Sequence, residues 1–161
     1  MPNRPLKTAE IKIRQARNRD LDSIVEMESQ IAPFSLNKPQ FAAEFLNPLS
    51  HFHVAYIPET GEIVGYIIFW IIEDILETHQ ITVKPQHQRK GIGSLLMRFL
   101  MKKAKQHDIS DIFLEVRQSN TAAIQFYQQF GLKQKSVRKD YYQNPVEDAL
   151  IFIKNMADQT S

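Results

Sequence analysis

A run of ten apolar residues, IVGYIIFWII at positions 63–72, constrains the fold more than any other feature of the sequence. A membrane-spanning helix needs about 20 such residues, so this run is too short to cross a bilayer and predicts a buried strand. A second apolar segment, HFHVAYI at positions 51–57, precedes it across the turn sequence PETG. Two such segments around a short turn predict a β-hairpin in a globular protein, with no membrane partner.

The rest of the sequence alternates between strand-like and helix-like apolar spacing. Further strands are predicted at 11–16, 76–83, 111–116, 132–140 and 147–154. Helices are predicted within 17–31, 32–47 and 120–131, and from Ile92 onward. The order β-α-α-β-β-β-α-β-α-β-β predicts an α/β fold, in which helices flank a mixed sheet of about seven strands in one domain.

Charge and cysteine content exclude several classes of function. A formal net charge of +2 leaves no basic footprint for a nucleic-acid partner. The chain contains no cysteine, which excludes disulfides, thiolate metal sites and a covalent cysteine intermediate, and fits a cytoplasmic protein. The first ten residues, MPNRPLKTAE, lack the apolar core of a secretion signal. No metal is expected, because metal-ligand spacing with carboxylates is missing at His51, His53, His87 and His107.

Gly91 and Gly93 lie at the start of the third predicted helix, in QHQRKGIGSLLMRFL at positions 86–100. A Walker loop needs a lysine before a serine or threonine after its last glycine, and a dinucleotide fingerprint needs a glycine where this chain has Leu96. Neither loop fits. Two interpretations stay open: a tight strand-to-helix turn, or an anion site where backbone amides and the helix dipole bind phosphate beside Arg89 and Lys90.

Several motifs together resemble the Gcn5-related N-acetyltransferase (GNAT) superfamily. QRKGIG is similar to its loop for the pyrophosphate of acetyl-coenzyme A (acetyl-CoA), and LEVRQSN, AAIQFYQQFGL, VRKDYY and EDAL resemble its RimI-type protein N-terminal acetyltransferases. The resemblance implies a single N-acetyltransferase domain over 1–161 with a mostly antiparallel sheet, short flexible ends at about 1–9 and 155–161, and a monomer or homodimer. It implies direct acetyl transfer from acetyl-CoA to a primary amine, which for the RimI type is a protein N-terminus such as that of a ribosomal protein.

The resemblance also assigns residues to roles. Glu115 matches the general base, and Tyr127 matches the acid that protonates the coenzyme A thiolate. The residues matched to acceptor binding are Phe34, Ser35, Glu77, Tyr141 and Tyr142. The residues matched to coenzyme binding are Ile81, Thr82, Val83, Gln88, Arg89, Lys90, Gly91, Ile92, Gly93, Ser94, Asn120 and Tyr127.

The residues alone leave an alternative open for each catalytic role. Glu115 stands between apolar neighbours in FLEVR, where lost solvation would strengthen it as a base, but it could instead pair with Arg117 or a nearby lysine. Glu77 matches the catalytic glutamate of many other GNAT enzymes, and His79 has an unperturbed pKa suited to a base, so both are rivals. Tyr127 could be a core residue of its helix.

The acceptor side is the least defined part of the predicted site. Tyr141 and Tyr142 are predicted to lie in a loop, where they either cover the core or wall the groove that a peptide N-terminus enters. The RimI type usually carries Pro-Trp-Ser where this chain has Pro33-Phe34-Ser35, so the first acceptor residue stays open. Asn120 could be only a helix N-cap.

Two alternative functions also stay open. One is acetylation of a small amine or of a lysine ε-amine, and the other is a non-catalytic acyl-CoA-binding module. The presence of both Glu115 and Tyr127 argues against the binding module, because such a module needs neither a base nor an acid.

Overall fold

The structure, a computed structural model, describes Lys7, residues 10–31 and residues 36–158. Its strands are β1 (Lys12–Gln15), β2 (Ser50–Tyr56), β3 (Ile63–Ile72), β4 (Ile75–Val83), β5 (Asp111–Arg117), β6 (Lys133–Tyr142) and β7 (Glu147–Asn155). Its α-helices are α1 (Leu21–Ile31), α2 (Lys38–Glu44), α3 (Ile92–Gln106) and α4 (Thr121–Gln129). Single 3-10 turns cover Asn18–Asp20 and Pro85–His87. This element order is the one that the sequence predicts.

The strands form one mixed sheet in the order β1-β2-β3-β4-β5-β7-β6. Strand β1 pairs antiparallel with β2, and β7 pairs antiparallel with both β5 and β6. Strands β4 and β5 pair in parallel, with Ile75–Thr78 opposite Asp111–Leu114. Strand β4 then continues to Val83. The predicted α/β class with a mostly antiparallel sheet of about seven strands is confirmed.

The chain divides into two compact units, of which the first comprises the described residues of Met1–Phe69 and Gln80–Leu100. Its core surrounds the start of β3, where Tyr66 has no exposed surface. The Phe41 ring of α2 meets the Tyr66 ring edge-on, with centroids 5.7 Å apart. This packing buries the first part of the apolar run, as predicted. Across residues 10–31 and 36–158, no helix is both long and apolar enough to cross a membrane.

The second unit comprises Trp70–His79 and the described residues of Met101–Ser161. Strand β5 lies in its interior, between β4 and β7. Successive residues of a strand point to opposite faces of a sheet. Ile112, Leu114 and Val116 are accordingly buried, whereas Phe113 and Glu115 on the other face are only partly covered.

Strand β6 extends further than the sequence predicts. It includes Tyr141 and Tyr142, so the prediction of a loop for these two residues is wrong. The pairing with β7 shifts register between Arg138 and Tyr142, and Asp140 adopts a left-handed φ of 50°. Such a bulge disrupts the alternation that marks a strand in a sequence, whereas the aromatic side chains still favour extended backbone.

Candidate active site

The predicted phosphate loop lies between β4 and α3 in the first unit. Gln88 donates a side-chain hydrogen bond to the Val83 carbonyl over 3.1 Å, which ties the start of the loop to the end of β4. Arg89 and Gly91 have left-handed φ angles of 61° and 84°, and α3 begins directly after them, at Ile92. Left-handed residues in a turn direct successive backbone amides toward a common point, which is how proteins form anion-binding concavities.

The first turn of α3 also suits an anion. This 15-residue helix has no acidic residue in its first turn, and the first amides of a helix have no intrahelical acceptor. The helix dipole adds partial positive charge there, next to the exposed Arg89 and Lys90. The Ile92 side chain is 1% exposed and belongs to the core, so only its backbone is available to a ligand. The loop with Gly93 and Ser94 therefore fits a phosphate or pyrophosphate group.

A cleft of about 400 Å³ lies in the second unit. Its lining residues are Glu77, Thr78, His79, Phe113, Glu115, Arg138, Tyr141 and Tyr142. The structure therefore brings the predicted base, both rival bases and the tyrosine pair together in one cleft.

Glu115 is held between a cation and a phenol. Its side chain is 18% exposed, and its Oε1 lies 3.0 Å from Nη1 of Arg138. The Tyr141 hydroxyl also bonds to this carboxylate, and that hydrogen bond raises the pKa of Tyr141 above its usual value. Arg117, the alternative partner considered from the sequence, pairs with Glu147 at 3.3 Å. Glu115 is thus a largely desolvated carboxylate that already makes hydrogen bonds inside the cleft.

Tyr127 and Tyr142 carry hydroxyls that hold their protons strongly. Burial raises the pKa of Tyr127 to about 12, and the nearby Tyr142 contributes. Burial, followed by the charge of Glu115, raises the pKa of Tyr142 to about 12 as well. The guanidinium carbon of Arg117 lies 4.2 Å from the centroid of the Tyr142 ring and supports it from one side. Both hydroxyls are therefore proton donors at neutral pH.

The rival bases Glu77 and His79 contact each other. Nε2 of His79 lies 3.3 Å from Oε2 of Glu77, and both side chains are about one third exposed. The His79 ring also packs on Trp70, with centroids 4.1 Å apart. This pair is more open to solvent than Glu115, so it is the less desolvated part of the cleft.

The remaining predicted residues have simpler surroundings. Asn120 caps α4, since its Oδ1 accepts a hydrogen bond from the Ala123 amide over 3.2 Å. Ile81, Thr82 and Val83 form the end of β4. Phe34 and Ser35 lie outside the described residues. Among the residues that are described, no group of three or more histidine or acidic side chains could hold a metal ion.

Sequence reasoning missed Arg138 as the partner of Glu115. Arg138 lies on β6, which is separated from β5 by β7 in the sheet, so the contact depends on a strand order that the sequence does not reveal. The available signal was its place in the VRKDYY motif, two residues before the bulge at Asp140.

Comparisons with known proteins identify the family and the fold. The model of the acetyltransferase (GNAT) family matches residues 14–132. A relative from Bacillus subtilis (strain 168), provisionally named a ribosomal protein bS18-alanine N-acetyltransferase, is 34% identical over 140 residues, covering 86% of this chain and 91% of the relative. An N-alpha-acetyltransferase from Sulfurisphaera tokodaii is 32% identical over 160 residues, covering 90% of this chain and 93% of the relative.

A solved structure gives the same result for the fold. The crystal structure of the ribosomal-protein-S18-alanine N-acetyltransferase from Escherichia coli matches with a TM-score of 0.82 at 25% identity, covering 94% of this chain and 98% of that one. The predicted GNAT fold and the RimI-type resemblance are confirmed. The chain belongs to the acetyltransferase (GNAT) family and is an acetyl-CoA-dependent N-acetyltransferase.

Proposed function

We propose that the acceptor is the N-terminal α-amine of a protein, with a small first residue, and alanine above others. The observation that carries this proposal is the cleft that joins Glu115 to the tyrosine pair Tyr141 and Tyr142. The names of the relatives support it, because they specify the alanine of a ribosomal protein or a protein α-amine.

Acetyl-CoA would supply an activated acetyl thioester at this site. The amides of Gly91, Ile92, Gly93 and Ser94, together with the side chains of Gln88, Arg89 and Lys90, would hold its pyrophosphate. The backbone of Ile81–Val83 would bind its pantetheine arm, because the end of an extended strand presents amide and carbonyl groups to a parallel extended chain. Asn120 would add a hydrogen bond to the same arm.

Glu115 would accept the proton that the acceptor ammonium must lose before it can attack. A protein α-amine has a pKa of about 7.7–8.0, against about 10.4 for a lysine side chain. A substantial fraction of α-amine is therefore already neutral near pH 7, and a carboxylate base suffices for the rest. Glu115 lines the cleft, so its carboxylate is available to an amine that enters there.

Tyr127 would hold the proton that the departing sulfur takes. With a pKa raised to about 12 by burial, its hydroxyl is fully protonated at the start of each turnover. The neighbouring Tyr142 hydroxyl, whose pKa is likewise raised to about 12, also keeps its own proton at neutral pH.

The tyrosine pair would position the acceptor backbone. The rings of Tyr141 and Tyr142 meet at 86° with centroids 5.0 Å apart, which gives the cleft a rigid aromatic corner. Tyr141 is 45% exposed, so a large part of its ring is available to an incoming peptide. Rigid aromatic walls suit a short main-chain segment and a small side chain.

Initial rates on matched peptides test the proposed acceptor. An alanine-initiated peptide should react at least about tenfold faster than its leucine-initiated equivalent, which is the size of effect expected from a pocket that is too small for the added carbons. The same peptide with a formylated N-terminus and one free lysine should be a poor substrate. Equal rates for the alanine and blocked peptides, or faster turnover of a polyamine, would contradict the proposal.

Two variants of Tyr142 test whether this residue contacts the acceptor peptide. Tyr142→Ala should raise KM for the peptide about tenfold or more, because the aromatic corner is lost, and should leave KM for acetyl-CoA within about threefold. Tyr142→Phe keeps the ring and should stay close to wild type. If both variants raise KM for acetyl-CoA and not for peptide, Tyr142 does not contact the acceptor.

A further inference from the structure

A glutamate outside the predicted site is buried in the first unit. Glu28 lies on α1 and is only 4% exposed. Its Oε1 accepts a hydrogen bond from the Tyr66 hydroxyl and another, over 2.7 Å, from the Thr82 hydroxyl. Burial and the Glu28 charge raise the pKa of Tyr66 above its usual value, so this hydroxyl stays a donor. We refer to Glu28, Tyr66 and Thr82 as the Glu28 cluster.

A buried carboxylate is an unusual choice for an amphipathic helix. Glutamate is rarely buried unless it is hydrogen-bonded, and taking its charge out of water carries a large cost. An apolar residue on the same face of α1 would have filled the core without that cost. The buried glutamate is therefore explained by the hydrogen bonds that it accepts, and these bonds join α1 to β3 and β4.

Thr82 is also held through its backbone. A Cβ atom added at Gly65 of β3 would lie 2.8 Å from the Thr82 carbonyl oxygen, so only glycine allows β4 to come this close. Just beyond it, the Lys84 amide donates to the Val64 carbonyl over 2.8 Å. The side chain and the backbone of Thr82 are thus fixed at the same point along β4.

We propose that Glu28 is a positioning residue for coenzyme binding, acting through Thr82 on the backbone of Ile81–Val83. This inference rests on the proposed function, which assigns that segment to the pantetheine arm of acetyl-CoA. Backbone amides of a strand can hydrogen-bond an extended partner only while they point toward it, which requires the strand to stay in one orientation about its own axis. The hydrogen bond from the Thr82 hydroxyl to the Glu28 carboxylate fixes this orientation of β4. Hydrogen bonds to a charged acceptor are stronger than those between neutral groups.

The Glu28 cluster offers a matched pair of variants for the test. Thr82→Val and Tyr66→Phe each remove one hydroxyl that donates to the same Oε1, with almost no change in volume, but only Thr82 lies in the coenzyme-binding segment. Thr82→Val should raise the Kd for acetyl-CoA about tenfold by calorimetry, with a similar rise in KM for acetyl-CoA and an unchanged KM for peptide. Thr82→Ser restores the hydroxyl and should bind within about threefold of wild type.

Tyr66→Phe should lower Tm and leave the Kd for acetyl-CoA within about threefold of wild type. If Thr82→Val and Tyr66→Phe lower Tm alike and neither changes the Kd, the Glu28 cluster only stabilises the fold and the inference is wrong. Should Thr82→Val fail to fold, Glu28→Gln takes its place. Its Kd for acetyl-CoA should be about tenfold higher than that of wild type, and a Kd within about threefold of wild type would contradict the inference. Wild-type protein that does not bind acetyl-CoA would instead overturn the coenzyme assignment, so the two failures are distinguishable.

Discussion

The phosphate loop and the cleft around Glu115 are built in opposite ways. The loop, residues 88–94, is one continuous stretch whose shape depends on backbone conformation, with left-handed φ angles at Arg89 and Gly91. The cleft is assembled from side chains of β4, β5 and β6, which are far apart in the sequence. The loop would bind mainly through backbone amides, with added contacts from the side chains of Gln88, Arg89 and Lys90, whereas the cleft depends entirely on which side chains the sheet brings together.

This difference predicts two different kinds of failure on mutation. A loop that binds through backbone groups fails when a side chain or a charge intrudes, and the loss appears as weaker coenzyme binding. A cleft that works through side chains fails when one functional group is removed, and the loss appears in the rate of the chemical step. Variants of Glu115, Gly93 and Tyr127 separate these two outcomes.

Glu115→Gln should have the largest effect. It keeps the shape of the side chain and removes its basicity, so kcat should fall by about two to four orders of magnitude at pH 7. The Kd for acetyl-CoA and the Tm should change little. Steady-state kinetics with calorimetry on the same preparation measures all three quantities. If Glu115→Gln kept nearly the kcat of wild type and Glu77→Gln were inactive, Glu77 on β4 would be the base instead.

Gly93→Asp should have the next largest effect, on the other side of the comparison. It adds a side chain and a negative charge at the start of α3, where the helix dipole and the loop amides favour an anion. The Kd for acetyl-CoA should rise about 100-fold, with the fold retained by circular dichroism. Gly93→Ala is the matched control and should weaken binding about tenfold or less. Unchanged binding in a folded Gly93→Asp protein would rule out the loop as the coenzyme site.

Tyr127→Phe should have the smallest effect of the three. It removes the hydroxyl and keeps the packing against Phe126, so Tm should hold. The thiol of coenzyme A is a fairly good leaving group, since a free thiol has a pKa of about 8.5, and kcat should therefore fall only about 10- to 100-fold. In wild type the Tyr127 hydroxyl, with its pKa of about 12, stays protonated up to pH 10, so its ionisation should not lower kcat below that pH. A kcat that matches wild type would remove Tyr127 as the acid.

The contrast between loop and cleft also explains what the sequence could predict. The order of strands and helices followed from local periodicity, and the strand that carries Glu115 was predicted at 111–116 from its own residues. The glycine loop was recognisable because all its residues are consecutive. In each case the information lies within a few neighbouring residues.

Contacts between distant elements were not predictable in this way. The Arg138 partner of Glu115 depends on strand order and on the register shift in β6, and neither has a local signal. Glu28 sits within an amphipathic helix, where a glutamate normally faces solvent, and its burial depends on hydroxyls from β3 and β4. Tyr141 and Tyr142 line the cleft, but the sequence predicted them in a loop because a bulge obscured the end of their strand.

Acetyl transfer to protein α-amines is tested most directly by a competition between two amines within one peptide. A peptide beginning with alanine and carrying one internal lysine is incubated with wild-type protein and acetyl-CoA at pH 7, and tandem mass spectrometry locates the acetyl group. Because the two amines differ by about 2.5 pKa units, we expect more than about ten α-acetylated peptides for each ε-acetylated one. Acetylation mainly on the lysine would contradict the assignment of a protein N-terminal acceptor.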